Sequence, residues 1–135
     1  MHELTIPATV ENIEKVTDFV NEKLEQINCP MKAQMQIDIA IDELFGNIAH
    51  YAYNPKTGPA TVRVEVTEAP ISVSITFIDC GVPYDPLKKD DPDITLSAEE
   101  REIGGLGIFM VKQTMDEITY EYRDGQNILR IRKDI

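Results

Sequence analysis

Over the first fifty-odd residues the apolar side chains recur every three or four positions, and from Ala60 they recur every two. Val10, Ile13, Val16, Val20, Leu24 and Ile27 form one stripe of the first kind, and Ile37, Ile41, Leu44, Ile48 and Ala52 form another. Each lines one face of an α-helix. Val62, Val64 and Val66 alternate with charged or hydroxyl residues, as Ile71, Val73, Ile75 and Phe77 do with Ser72, Ser74 and Thr76, which is the pattern of half-buried strands. Elements with a single apolar side must bury those sides together. The expected fold class is therefore α+β, a two-layer α/β sandwich with a mixed, mostly antiparallel sheet and helices on one face.

Punctuation sets the boundaries. A short strand is expected over Leu4–Ala8, followed by a helix with Thr9 as N-cap and Glu11 in its first turn, stopped by Asn28 and Pro30. The second helix runs from about Met31 into the low fifties, where Asn54-Pro55 and Gly58-Pro59 end it, and the two strands turn at Glu68-Ala69-Pro70. From Gly81 to about Ile103 there are three prolines and, from Lys88 onward, six acids against three bases, with too little apolar periodicity for a core element. A loop of this length inside a compact domain is expected to be a flexible functional lid. A helix over Leu106–Met115 follows. Ile118, Tyr120 and Tyr122 then lead to Asp124-Gly125, and Ile128–Ile131 returns, the signature of a hairpin.

The 135 residues suit one domain spanning 1–135. With 24 acids against 13 bases the formal charge is −11, which opposes direct contact with nucleic acid or an anionic membrane. No apolar run approaches the roughly 20 residues of a bilayer span, and Met1-His2-Glu3-Leu4 does not resemble a secretory signal, so a cytoplasmic location is expected. Cys29 and Cys80 match no metal-ligand spacing and are read as free thiols of a reducing compartment.

Three short stretches carry candidate chemistry. Glu43 and Asn47 are four residues apart on the second helix, neighbours on a face turned away from its apolar stripe. A carboxylate beside a carboxamide can orient a water or hydroxyl with one group and ligate a hard cation with the other, although a solvated helix face looks the same. Asp79-Cys80-Gly81 closes a strand, where a carboxylate can accept a hydrogen bond from a ligand amino group and a glycine admits the ligand close to the backbone; it is also a common strand-to-turn sequence. Gly104-Gly105-Leu106-Gly107 opens a helix, where bare amides and the helix dipole can cradle phosphates, or where a loop simply joins a helix. No P-loop sequence is present.

In this order the three stretches resemble the GHKL ATPase family, the Bergerat fold, and within it the small bacterial anti-sigma factor serine kinases. Glu43-Leu44-Phe45-Gly46-Asn47 with Ala52-Tyr53 resembles the N box, Asp79-Cys80-Gly81-Val82-Pro83-Tyr84-Asp85-Pro86 the first glycine box, and Gly104-Gly105-Leu106-Gly107-Ile108 the second. The resemblance covers nearly the whole chain, from Leu4-Thr5-Ile6-Pro7 to Met115-Asp116-Glu117. It implies ATP bound with Mg²⁺, Glu43 as general base, Asn47 as metal ligand, and Asp79 on the adenine amino group. It also implies that Gly81, Pro83, Gly104, Gly105, Leu106, Gly107 and Ile108 hold the cofactor. The implied partners are a STAS-domain antagonist, phosphorylated on serine, and a sigma factor exchanged for it, with the kinase a homodimer. Two positions depart from the family pattern: Tyr51 stands where His is usual, with His50 one residue early, and Tyr84 stands where Phe is frequent. The alternative to a kinase is an ATP-gated protein-binding module of the same fold. Retention of both Glu43 and Asn47 favours the enzyme.

Overall fold

Alternation along residues 60–66 turns Ala60, Val62 and Val64 inward, and the computed structural model, which describes residues 1–88 and 106–135, builds a sheet around that face. The chain runs β1 (His2–Pro7), a 3₁₀ turn at Val10–Asn12, α1 (Ile13–Gln26), and α2 (Met31–Asn47), which continues as a π-helical turn over Ile48–Ala52. Then come β2 (Pro59–Thr67), β3 (Ser72–Asp79), a 3₁₀ turn at Pro86–Lys88, α3 (Leu106–Thr114), β4 (Glu117–Arg123) and β5 (Gln126–Asp134). The strand order is β1-β2-β3-β5-β4 with every neighbouring pair antiparallel.

The register brings Val62, Phe77 and Leu129 into one row and Val64, Ile75 and Ile131 into the next. Val16, Val20 and Leu24 of α1, Ile37, Ile41 and Leu44 of α2, and Ile108 and Val111 of α3 pack against those rows. All three helices thus lie on one face, the α+β two-layer arrangement expected from the apolar periods. Burying a branched aliphatic side chain of this kind stabilises the fold by roughly 1.5–3 kcal/mol each, which is why the stripes dictate the layer order. Among the described residues no helix is long and apolar enough to cross a membrane.

Several local expectations need correction. Thr9 makes no side-chain capping bond; the chain first turns through Val10–Asn12, leaving Val10 exposed, and α1 starts at Ile13 with Asn12 before it. The Asn12 amide instead donates to the Pro7 carbonyl at 2.8 Å, tying the helix start to β1. At the other end Asn28 takes φ +54°, the left-handed conformation that stops a helix and that Asn tolerates. β3 is not half-buried but covered on both sides, because Arg130 reaches from β5 over the outer face and donates to Ser74 Oγ at 2.8 Å. The last hairpin turns on Asp124 and Gly125, both at positive φ as a two-residue primed turn requires. Its return strand begins at Gln126, so Ile128 faces outward and Leu129 inward. In the expected lid, residues 81–88 are described and include the buried Pro86, whereas 89–103 lie outside the described residues.

Between α1 and α2, the Asn21 side chain lies beside the Asp38 carboxylate, and Oδ1 of each residue is buried without a partner among the described residues. Burial pushes the Asp38 carboxyl above its ordinary value of 3.8, and the neighbouring Asn21 side chain only partly opposes this. Because the folded chain then holds the proton to higher pH than the unfolded chain, ionised Asp38 costs stability at neutral pH, and the cost fades as pH falls toward the ordinary value. Asp38→Asn is expected to raise unfolding free energy by about 1 kcal/mol at pH 7, since the amide also offers Asn21 Oδ1 a donor. Urea titrations repeated at decreasing pH check this: the gain should shrink toward pH about 4, and a gain that stays constant with pH would contradict the assignment.

Candidate functional site

The inward rows of the sheet end on a polar pair. Asp79, the last residue of β3, lies opposite Ala60 on β2 and Asn127 on β5, and the residue is 5% exposed. Its Oδ1 accepts from the Gly81 amide and from Asn127 Nδ2, both at 2.9 Å. Both of these bonds are to Oδ1, and Asp79 lines the cleft. The Asn127 carboxamide also donates to the Val82 carbonyl at 2.9 Å and accepts from the Tyr84 amide at 3.1 Å and from the Tyr120 hydroxyl.

The segment after β3 is fastened to the end of α2 as well. The Val82 amide donates to the Ala52 carbonyl at 3.0 Å, and the Tyr53 hydroxyl donates to the Pro59 carbonyl at 2.6 Å while accepting from the Cys80 amide at 2.8 Å. Gly81 is obligatory for this approach: a Cβ there would overlap the Ala52 carbonyl. The result is a cleft between the π-helical turn and the sheet. Leu44, Ile48, Phe77 and Leu129 give it apolar walls, Asp79 gives it a carboxylate, and Asn47 stands at its α2 side. At its rim the Tyr51 and Tyr84 rings lie 5.7 Å apart with a 35° tilt. Burial pushes the Tyr84 phenol above its ordinary value, and Tyr51 and Glu43 add to the effect. Apolar walls with a buried carboxylate acceptor suit a flat heterocycle that carries an amino group.

Glu43 and Asn47 do not occupy a solvated face. Both are partly buried because the first turn of α3 packs on that side of α2, and it does so through Gly107, where a Cβ would overlap the Glu43 carboxylate. Asn47 lines the cleft and Glu43 sits one turn earlier, beside Gly107. Of the other expected residues, Pro83 is exposed and does not line the cleft, while Val82, Tyr84 and Pro86 do. The Ile108 side chain belongs to the core, Leu106 begins α3, and Gly104 and Gly105 lie outside the described residues. His50 is exposed, its ring 6.1 Å from Tyr51. Among the described residues no cluster of three or more His, Cys, Asp or Glu could hold a metal ion. Sequence reasoning missed Asn127 and Tyr120 as site residues. Asn127 reads as part of the turn after Asp124-Gly125, and its pairing with β3 shows that it faces inward.

Residues 6–133 match the family described as the histidine kinase-like ATPase domain. The serine/threonine-protein kinase BtrW of Bordetella bronchiseptica is 27% identical over 100 residues, covering 74% of this chain and 70% of that protein. The serine-protein kinase RsbW of Bacillus mycoides is 25% identical over 134 residues, covering 94% of this chain and 81% of that protein.

The two glycines should respond differently to the same added methyl. Gly81→Ala meets a backbone carbonyl and is expected to lower unfolding free energy by roughly 1–3 kcal/mol. Gly107→Ala meets the far end of a flexible side chain, so stability should change by less than about 1 kcal/mol while the Glu43 carboxylate moves aside. Chemical denaturation of both variants tests the contrast; equal losses would show that the Glu43 side chain is held as rigidly as the backbone.

Proposed function

The chain belongs to the histidine kinase-like ATPase domain family, and from that premise we propose that it is an ATP-dependent anti-sigma factor kinase. It phosphorylates a serine on a STAS-domain antagonist and exchanges that antagonist for a sigma factor, acting as a homodimer. The observation that carries the nucleotide reading is Asp79: a buried carboxylate that lines an apolar cleft and takes both of its protein donors on one oxygen. An adenine amino group fits that acceptor, and Leu44, Ile48, Phe77 and Leu129 flank the ring. The relatives named as serine kinases support the reaction class, and the formal charge of −11 favours regulation through protein partners over direct contact with nucleic acid.

The donor set also fits Mg²⁺ carried by the nucleotide. Asn47 offers one carboxamide oxygen, and a cation that prefers six oxygen ligands would find the rest on phosphates and waters. Bound in this way, Mg-ATP supplies the transferable phosphoryl group. Glu43, one turn from Asn47 and beside Gly107, takes the proton of the attacking serine hydroxyl. Gly107 leaves the Glu43 carboxylate room that any larger residue would take.

Asp79→Asn removes the charged acceptor, and a hydrogen bond to a charged group is worth roughly 1.5–3 kcal/mol, so ATP affinity should fall by about tenfold or more in calorimetric titration. Unchanged affinity in a folded variant would reject the adenine contact.

Glu43→Gln keeps the shape but not the base. ATP binding should survive while phosphoserine formation on a STAS-domain protein falls on the order of 10²–10⁴-fold. Asn47→Ala should weaken Mg²⁺-dependent ATP binding together with transfer. A wild-type protein that binds ATP yet phosphorylates no STAS-domain partner, and whose Glu43→Gln variant is indistinguishable from it, would be an ATP-gated binding module instead.

A further inference from the structure

Asn127 lines the cleft, yet its carboxamide has nothing left to offer a ligand. Nδ2 has two hydrogens, given to Asp79 Oδ1 and the Val82 carbonyl, and Oδ1 accepts from the Tyr84 amide and the Tyr120 hydroxyl. The orientation of the amide follows from its partners. The Val82 carbonyl can only accept and the Tyr84 amide can only donate, so turning the carboxamide over would set acceptor against acceptor and donor against donor. With the amide fixed, Nδ2 must meet Asp79, and it meets one oxygen only.

Resting on the reading of the cleft as an ATP site, we propose that Asn127 is the positioning residue for recognition of the base. It joins the Gly81 amide in holding Asp79 by Oδ1, which leaves Oδ2 for the ligand, and through Val82 and Tyr84 it holds the segment that carries the rim tyrosine. A carboxylate pinned in this way presents one acceptor in one direction. It accepts a purine 6-amino group and repels a 6-oxo group, whereas an unpinned carboxylate can turn its free oxygen away from either. Asn127 therefore acts on which base is bound rather than on phosphoryl transfer. The register supports this division of labour, because Asp79 and Asn127 are direct partners across β3 and β5 and no intervening residue is needed. Tyr120, from β4, completes the lock from the far side of β5.

The test compares calorimetric affinities for ATP and for inosine triphosphate, which differ at the 6-amino position, in wild type, Asn127→Ala and Tyr120→Phe. Wild type is expected to favour ATP by about tenfold or more, and Asn127→Ala to bring the two affinities within about threefold of each other, mainly by weakening ATP. Tyr120→Phe keeps the ring and removes the hydroxyl, so its preference should lie between the two. A merely structural Asn127 would lower the melting temperature and leave the ratio alone; that result in folded Asn127→Ala overturns the proposal. If Asn127→Ala does not fold, Tyr120→Phe decides, with a reduced ratio supporting the lock and a wild-type ratio overturning it. A wild type with no ATP preference would overturn the Asp79 reading and this proposal together, and is thereby distinguished from failure of the lock alone.

Discussion

Two antiparallel strands set an apolar ladder against three helices and then end it with a carboxylate facing a carboxamide. Polar groups buried at that depth must be hydrogen-bonded or cost on the order of 1–3 kcal/mol each, so the pair Asp79 and Asn127 recruits partners from whatever chain is near. What is near is the segment leaving β3. Gly81, Val82 and Tyr84 are each drawn in by one bond, and Tyr120 by another. The cleft is the space left above this satisfied pair, and its shape follows from where the register stops being apolar.

The helix layer contributes in a different way. α2 could continue its regular winding to Ala52, but its last five residues widen into a π turn, and there Ala52 and Tyr53 take hold of the segment after β3 and the start of β2. Such wide turns often mark functional positions in helices. A few residues upstream Glu43 and Asn47 would be ordinary surface groups if α3 were absent. Gly107 lets α3 approach closely enough to half-bury both, which changes a polar helix face into a wall of the site.

The fold class, the layer order and nearly every element were legible, because apolar period reports which side of an element is buried and three one-sided helices must share one sheet face. Glu43, Asn47 and Asp79 stood out only as motifs in one order along the chain, because singly Glu43 and Asn47 read equally as a solvated helix face and Asp79 as a strand-to-turn residue. Asn127 did not, since a polar residue two positions past Asp124-Gly125 reads as part of the turn, and only the pairing with β3 shows that it faces inward. The covered outer side of β3 was hidden for the same reason, as it depends on Arg130 from a strand more than fifty residues away in sequence. Thr9 misled because the cap preference is local, while the chain's path was set by Asn12 reaching back to Pro7.

The two cysteines differ in a way that makes the molecule easy to address chemically. Cys29 is partly buried against the core, and burial, with Asp38 nearby, pushes its thiol above the ordinary value and away from the reactive thiolate. Cys80 is exposed on the outer side of the sheet, one residue past Asp79 and hydrogen-bonded through its amide to Tyr53. A thiol-directed fluorophore or spin label would therefore select Cys80. It would sit behind the floor of the cleft, outside the space a ligand fills, joined by backbone to the carboxylate on the other side. The native chain thus carries a reporter position for its own site, with no residue needing to be introduced.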